Sequence, residues 1–414
     1  MAVLAARAPA LIPRSAWLRL LGPAFIVSVG YIDPGNWATD LAAGLYGFKL
    51  LWVIAVANAI AIVLQCAVTR LAIITGTDLA TAVAVRWPSI APFVWPVFQG
   101  AAITTDFAEF TGIVLGLELL FHLSLLTSVL LGAGAVLVLL MASDIRRSKV
   151  FEAAIISIVL AVAFAYVYQV CLVHPSAVDM MNGTFVPRIP DQAALFIVVG
   201  IIGATVMPHN LFLHSALVAK GCASGEGVHS AIERQRRGQF FMKETIVALN
   251  LAAIINGAIL VVGSSLGGAG GSIQQASGML GSIAGNKAAL VFGASLLLCG
   301  LAASAAATLS GDYIFAAFSP IRVKPPLRRL ITLVPAALLL LIGLNPITLL
   351  VGSQVALALI LPVVLIPLIA LIGGTRRGNR SPAFSSRLFV SVLAATGVCI
   401  AFDGLLIARS FSWV

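Results

Sequence analysis

The chain of 414 residues is 60% hydrophobic and only 10% charged, and its mean hydropathy is +1.08. Soluble domains carry about 25% charged residues, so this composition excludes a soluble globular protein and predicts a polytopic, all-α membrane protein. The net charge of +10 is then a matter of membrane topology, and no nucleic-acid partner is expected.

Eleven apolar segments reach the roughly 17–25 residues that cross a bilayer as a helix. Residues 1–18 precede them and lack a long apolar run, so they are expected to form a short cytoplasmic tail. The predicted spans are 19–45, 50–75, 93–121, 124–141, 150–173, 194–219, 244–266, 286–318, 328–345, 348–373 and 387–411.

The distribution of basic residues predicts the orientation. With a cytoplasmic amino terminus, 21 of the 25 lysines and arginines fall on the inner side and 4 on the outer side. The positive-inside rule favours this arrangement. We therefore expect a multi-pass protein of the cell inner (plasma) membrane, with its carboxy terminus outside.

The first span is interrupted near its centre by the sequence DPGN. Pro34 and Gly35 break a helix, and the break frees carbonyl groups, that of Gly30 among them, which hydrocarbon cannot satisfy. An ionised Asp33 at this depth costs at least about 2.5–3.5 kcal/mol on insertion scales. A cation offsets this cost, with Asp33 and the Asn36 amide oxygen as hard ligands.

The third span carries two carboxylates, Asp106 and Glu109, close to its midpoint. Their spacing of three residues places them on one face of a helix. Acidic groups at this depth are costly unless they pair or relay protons. We interpret them as a proton relay; the alternative is a structural hydrogen-bonded pair.

The sixth span is interrupted by the sequence MPHN, again near its centre. Pro208 breaks the helix and frees the Ala204 carbonyl. Met207 supplies a thioether, a soft ligand from which Mn²⁺, Fe²⁺ and Cd²⁺ gain more than Mg²⁺ or Ca²⁺. The alternative is that this methionine only fills a gap.

Two histidines follow in the same segment. His209 and His214 are five residues apart, about 140° around an α-helix, so they face different ways. An imidazole beside a metal site can pass protons, since its unperturbed pKa is near 6.5. A structural role is the alternative for His209, and more so for His214.

The two interruptions occupy equivalent places in two five-helix units of opposite topology. This pattern predicts a 5+5 inverted-repeat transporter, with repeats at 19–173 and 194–373 and an additional eleventh helix at 387–411. The simpler alternative is that the prolines only kink two helices. The polar groups clustered at both breaks favour the transporter.

These motifs resemble those of the natural resistance-associated macrophage protein (Nramp) family of proton-coupled divalent metal transporters. The similarity rests on DPGN and on four further segments, TDFAEFTG (105–112), GATVMPHNLFLHSALV (203–218), LRRLITLVPA (327–336) and SQVALALILP (353–362).

The resemblance implies a LeuT-type fold with discontinuous helices 1 and 6. It implies metal held by Asp33, Asn36, Met207 and the Ala204 carbonyl, with Gln354 as a further ligand in occluded states. It also favours the relay interpretation of the third-span acids. Arg328 and Arg329 lie at the inner end of the ninth predicted span. They are expected to keep these acids ionised and to guide protons inward, although charge topology alone also explains their position.

The sequence thus predicts a secondary active importer, not an enzyme, since no nucleophile–base set is present. The expected cargo is Mn²⁺, with Fe²⁺, Cd²⁺ and Co²⁺ as further substrates, moved with protons by alternating access and without a resident cofactor. A monomer is expected. The alternatives are a sodium-coupled carrier of the same fold, a metal sensor and a membrane enzyme.

Overall fold

The computed structural model describes residues 22–141, 149–223, 231–266, 272–318, 325–378 and 384–411. Within these ranges the chain forms sixteen α-helices and no β-strand. The helices are α1 (Pro23–Ser28), α2 (Pro34–Ala43), α3 (Leu51–Thr75), α4 (Leu79–Arg86), α5 (Ala91–Phe121), α6 (Leu125–Met141), α7 (Lys149–Val173), α8 (Ala177–Phe185), α9 (Gln192–Thr205), α10 (Pro208–Ala223), α11 (Ala231–Ser265), α12 (Ile273–Ala284), α13 (Asn286–Phe318), α14 (Pro325–Leu341), α15 (Pro346–Gly378) and α16 (Ser386–Phe411). Two 3₁₀ helices cover Val29–Ile32 and Gly44–Leu50.

Each predicted span coincides with one helix or with one interrupted pair of helices. The first span becomes α1 and α2, and the sixth becomes α9 and α10. The seventh span is longer than predicted, because α11 begins at Ala231 rather than near residue 244. The short helices α4, α8 and α12 connect spans and were not predicted. The tail predicted at residues 1–18 lies outside the described residues.

Seven segments of the described chain are long and apolar enough to cross a membrane, by length and composition. They are Pro34–Thr75, Ile156–Val173, Gln192–Gly221, Gly238–Ser265, Asn286–Phe318, Pro346–Thr375 and Ser386–Phe411, and two shorter apolar helices cover Pro23–Ile32 and Leu125–Leu139. Large apolar side chains such as Leu130, Phe164 and Val390 point outward. An apolar exterior suits a protein whose solvent is lipid.

Proline and capping residues define both helix interruptions. The first helix ends in the 3₁₀ turn Val29–Ile32, and Asp33 has the extended dihedrals φ −69° and ψ 167°. Pro34 then starts α2 at the position where a missing N–H is harmless. In the second interruption α9 ends at Thr205, and α10 starts at Pro208.

The halves of the first interrupted helix lie inside the bundle. Helix α2 packs against α5, α9, α11 and α15, while α1 packs against α10 and α11. Every residue of α2 from Pro34 to Ala43 is buried. This enclosure places the interruption deep inside the protein, away from lipid.

The start of α9 is fixed by a capping aspartate outside the membrane-spanning segments. Asp191 caps the helix by accepting a hydrogen bond from the Ala194 N–H at 2.7 Å, and its other partner is the Tyr46 hydroxyl at 2.8 Å. These hydrogen bonds, that of the Ala194 backbone first, hold the pKa of Asp191 below its usual range.

Candidate metal centre

Asp33 serves both the helix and the site. Its Oδ1 accepts the Asn36 backbone N–H at 2.7 Å, which caps the amino end of α2. Its Oδ2 is buried and has no hydrogen-bond partner among the described residues. A buried acceptor without a donor is destabilising on its own, so this oxygen is available for a cation.

The Asn36 side chain brings the two interruptions together. Its Nδ2 donates to the Ala204 carbonyl at 2.7 Å, to Asp33 Oδ1 at 2.9 Å and to the Gly30 carbonyl at 3.4 Å. Three of the predicted oxygen ligands thus converge on one point, which an electropositive NH₂ group fills. The carbonyls are free for this role because both helices stop there.

Met207 lies at the same junction, fully buried. Its sulfur accepts a hydrogen bond from Asn210 Nδ2 at 3.6 Å. The Asn210 side chain in turn lies so close to Gly30 that a β-carbon at Gly30 would overlap it. Asn210 therefore connects the thioether to the first interruption, and its own Oδ1 is buried without a donor in the described part of the chain.

Gln354 reaches the site from α15. Its side chain packs against Gly35 so closely that a side chain at Gly35 would collide with it. Its Nε2 donates to Ser353 Oγ at 3.0 Å. Its Oε1 is buried and, among the described residues, accepts no hydrogen bond. The predicted additional ligand is therefore beside the first interruption.

The predicted proton relay residues lie on α5 beside the site. Asp106 and Glu109 are both buried, and Gly112, one turn beyond Glu109, is in close contact with the Pro34 ring. His209 Nδ1 is 3.0 Å from Thr105 Oγ1, next to Asp106 in sequence. Thr105 and Gly112, on either side of the two acids in α5, thus contact His209 and Pro34 of the two interruptions.

His214 faces a different set of partners, as the five-residue spacing predicts. Its Nδ1 hydrogen-bonds Gln65 Oε1 at 2.7 Å, and Gln65 Nε2 donates to the Tyr31 hydroxyl at 2.6 Å. Thr69 Oγ1 is 3.4 Å from the same ring. This hydrogen-bonded chain connects His214 to the 3₁₀ turn that precedes Asp33.

Further polar residues of this region were not predicted from the sequence. The Thr205 hydroxyl and the Asn256 Nδ2 group each donate a hydrogen bond to Asn36 Oδ1 at 3.4 Å. Asn256 Nδ2 also donates to the Tyr31 carbonyl at 2.9 Å. Gln65 joins His214 to Tyr31 through the hydrogen bonds described above. Asp40, two turns beyond Asp33 on α2, is fully buried and has no hydrogen-bond partner for either carboxylate oxygen in the described ranges.

The ligand chemistry of the site is mixed. The described residues contain no group of three or more histidine, cysteine, aspartate or glutamate side chains that could hold a metal. The junction instead combines one carboxylate with amide oxygens, main-chain carbonyls and a thioether. Such a set suits a labile, borderline-soft divalent cation better than a tightly held structural metal.

Arg328 and Arg329 lie near the start of α14. Their side chains fall outside the described residues, so the structure does not relate them to the acids of α5.

Two interrupted helices that meet at a buried set of polar atoms, inside a bundle with an apolar exterior, define a membrane transporter of the broken-helix class. Comparisons with known proteins specify the family. The family profile described as natural resistance-associated macrophage protein-like, Nramp, matches residues 24–408. The chain belongs to the Nramp family.

Individual relatives are similar over nearly the whole chain. The divalent metal cation transporter MntH of Caldanaerobacter subterraneus subsp. tengcongensis is 35% identical over 401 residues, covering 94% of this chain and 93% of the relative. MntH of Erwinia tasmaniensis is 36% identical over 388 residues, with 91% and 92% covered.

Solved structures confirm the fold. A crystal structure of the Eremococcus coleocola manganese transporter, in complex with an aromatic bis-isothiourea substituted compound, superposes with a TM-score of 0.76 at 25% identity over 98% of this chain and 97% of that one. Mhp1, a nucleobase-cation-symport-1 family transporter, is similar in fold alone, with a TM-score of 0.60 at 17% identity over 94% of this chain and 93% of that one. The predicted LeuT-type inverted repeat is confirmed, and the homologues are transporters rather than enzymes.

Proposed function

We propose that this protein imports divalent transition-metal ions across the cell inner membrane, with Mn²⁺ as the main substrate and Fe²⁺, Cd²⁺ and Co²⁺ as further ones. Proton entry drives the import by alternating access. The observation that carries the proposal is the convergence of the Gly30, Asp33 and Ala204 oxygens around the Asn36 amide group. The names of the relatives, divalent metal cation and manganese transporters, support the same substrate class.

Metal binding requires one local rearrangement. The Asn36 NH₂ group now points at the three oxygens, and a half-turn of the amide presents Oδ1 to a cation in its place. Asp33 supplies the charge through Oδ2. Gln354 Oε1, which has no donor in the described part of the chain, completes the set on the α15 side when the site closes.

Selectivity comes from the sulfur of Met207. Mg²⁺ and Ca²⁺ prefer all-oxygen ligands and gain little from a thioether, whereas Mn²⁺, Fe²⁺ and Cd²⁺ tolerate or favour it. Burial of Met207 removes competing water from that side of the ion. The metal is cargo in this scheme, and the protein needs no resident cofactor.

The proton route runs from Asp33 to Asp106 and Glu109 on α5, with His209 beside them. The positive charge of an arriving metal favours the ionised form of Asp33 and so releases its proton into the relay. Arg328 and Arg329 continue this route towards the cytosol. His214, through Gln65 and Tyr31, connects the inner half of the sixth helix to the same turn.

Alternating access follows from the two repeats. In the proposed orientation the amino terminus is cytoplasmic, the carboxy terminus is outside, and one chain forms the whole pathway as a monomer. The half-helices α1 and α10 move around the fixed ligand set, because the chain joins each of them to it through an interruption.

The test is metal uptake by the purified protein in liposomes, measured with and without an inward proton gradient. We expect Mn²⁺ uptake to accelerate when the outside is acidic, and Mn²⁺ addition to acidify the lumen. Ca²⁺ and Mg²⁺ are the selectivity controls, and a sodium gradient at constant pH tests the alternative coupling ion. Uptake equal to that of protein-free liposomes, or equal rates for Mn²⁺ and Mg²⁺, would refute the proposal.

A further inference from the structure

A long groove lies between α7 and α13 on the outside of the bundle, away from the metal centre. Its volume is about 460 Å³. The lining includes Ala161, Phe164 and Tyr168 of α7 and Val291 and Leu298 of α13. Phe164 and Tyr168 are exposed on the surface of the protein, so the groove opens towards the lipid.

One end of the groove is charged. Among the described residues that line it, Lys287 is the only charged one, and it is exposed at the first turn of α13. Tyr168 lies towards the corresponding end of α7, which finishes at Val173. Tyrosine and lysine side chains are typical of the level where lipid headgroups begin.

The length of the groove matches one leaflet of the bilayer. Between Lys287 and Leu298, helix α13 rises about 16 Å at 1.5 Å per residue. Half of the hydrocarbon core is about 15 Å thick. A cation at headgroup level followed by apolar wall down to the midplane is the profile of a single phospholipid.

We infer that this groove binds one phospholipid, with its phosphate on the ammonium group of Lys287 and an acyl chain against Val291, Ala294 and Leu298. In the orientation proposed above, α13 begins at the outer surface, so the lipid comes from the outer leaflet. The ammonium group has the charge that a phosphate requires, and a Lys near the surface contributes about 1 kcal/mol to the attraction of an anionic lipid.

The groove shares its two helices with the metal pathway. On their inner faces, Phe292 packs against Trp37 with ring centroids 4.5 Å apart, and the Tyr166 hydroxyl accepts a hydrogen bond from the Trp37 indole. Trp37 directly follows Asn36 on α2. Helices α7 and α13 belong to different repeats, so movement between the repeats changes the width of the groove. Through these contacts the bound lipid stabilises one position of α2, a consequence that rests on the proposed transport function.

The binding itself is tested without any transport. Native mass spectrometry of the purified protein, titrated with phosphatidylglycerol, counts the lipids retained. Wild type should retain one lipid tightly, and Ala294→Phe should lose it because the added ring fills the groove. Leu290→Phe, on an outward-facing position of the same helix outside the groove, is the matched control and should keep the lipid.

Charge variants test the headgroup contact. Lys287→Ala should weaken phosphatidylglycerol retention about five-fold, whereas Lys287→Arg should stay close to wild type. Equal retention by wild type, Ala294→Phe and Lys287→Ala would overturn the inference. So would a dimer that Ala294→Phe dissociates, because the occupant would then be a second copy of the chain.

Mn²⁺ uptake in liposomes tests the link to transport separately. Ala294→Phe should lower the maximal uptake rate, and Leu290→Phe should not. An unchanged rate in Ala294→Phe would overturn the link while leaving the lipid site intact. Absence of uptake by wild type would refute the proposed function and leave the lipid counts unaffected.

Discussion

Replacing Asp33 by asparagine separates the two tasks that this side chain performs. Oδ1 caps α2 by accepting the Asn36 N–H, while the buried Oδ2 has no hydrogen-bond partner among the described residues. Asparagine is as good a helix cap as aspartate. Asp33→Asn therefore keeps the cap and removes only the charge.

The expected magnitudes follow from these roles. Retention of the cap predicts a change in the free energy of unfolding of only a few tenths of a kcal/mol. Removal of one partner of a buried charge pair costs about 3–5 kcal/mol, which corresponds to a loss of Mn²⁺ affinity of about 150- to 5,000-fold. Asp33→Ala loses the cap as well and should be about 1 kcal/mol less stable than Asp33→Asn.

Two measurements check this prediction. Thermal unfolding in detergent without metal should give nearly equal midpoints for wild type and Asp33→Asn, and a lower one for Asp33→Ala. Isothermal titration with Mn²⁺ should detect binding only to wild type. Mn²⁺ affinity in Asp33→Asn within ten-fold of wild type would refute the assignment of Asp33 as the charged ligand.

Further predictions concern residues around the same junction. Met207→Leu keeps the side-chain volume, so its cost in protein stability should stay below about 1.5 kcal/mol. It should relax discrimination against Ca²⁺ in competition uptake assays. Unchanged selectivity would contradict the role given to the sulfur. Glu109→Gln should weaken Mn²⁺-driven acidification in liposomes, and undiminished acidification would remove Glu109 from the relay. Asp40→Asn should leave equilibrium Mn²⁺ binding close to wild type but raise the KM for uptake, since the buried Asp40 carboxyl group, two turns from Asp33, can take up or release a proton and an amide cannot; an unchanged KM would make Asp40 purely structural. Gln65→Leu interrupts the hydrogen bonds from His214 to Tyr31 and should slow uptake without changing Mn²⁺ affinity. A wild-type uptake rate would show that these hydrogen bonds are dispensable.

The sequence predicted the architecture because membrane helices carry a strong local signal. Hydropathy located the spans, and the two prolines located the interruptions, since each effect acts within one short segment. The short helices α4, α8 and α12 were missed because helices of 8 to 12 residues carry no comparable hydropathy signal.

The partners within the site were less predictable. Asn256 meets Tyr31 across 225 residues of sequence, and His214 meets Gln65 across 149. Each of these polar residues lies on a membrane-spanning helix, and no periodicity tells which neighbour it faces. Residues in the motifs were found because their chemistry is unusual at that depth, whereas Gln65 and Asn256 became visible only through tertiary packing.

The participation of main-chain oxygens has a consequence for scanning mutagenesis of this transporter. Side-chain replacement at Ala204 leaves its carbonyl in place. A scan of side-chain substitutions will therefore not detect this oxygen ligand, although it lies as near to Asn36 as any side chain does. A chemical change to the backbone reaches it: an ester in place of the peptide bond between Ala204 and Thr205 makes that oxygen a poorer electron donor without altering any side chain. Maps of tolerated substitutions will therefore understate how much of the binding pocket is built from the polypeptide itself.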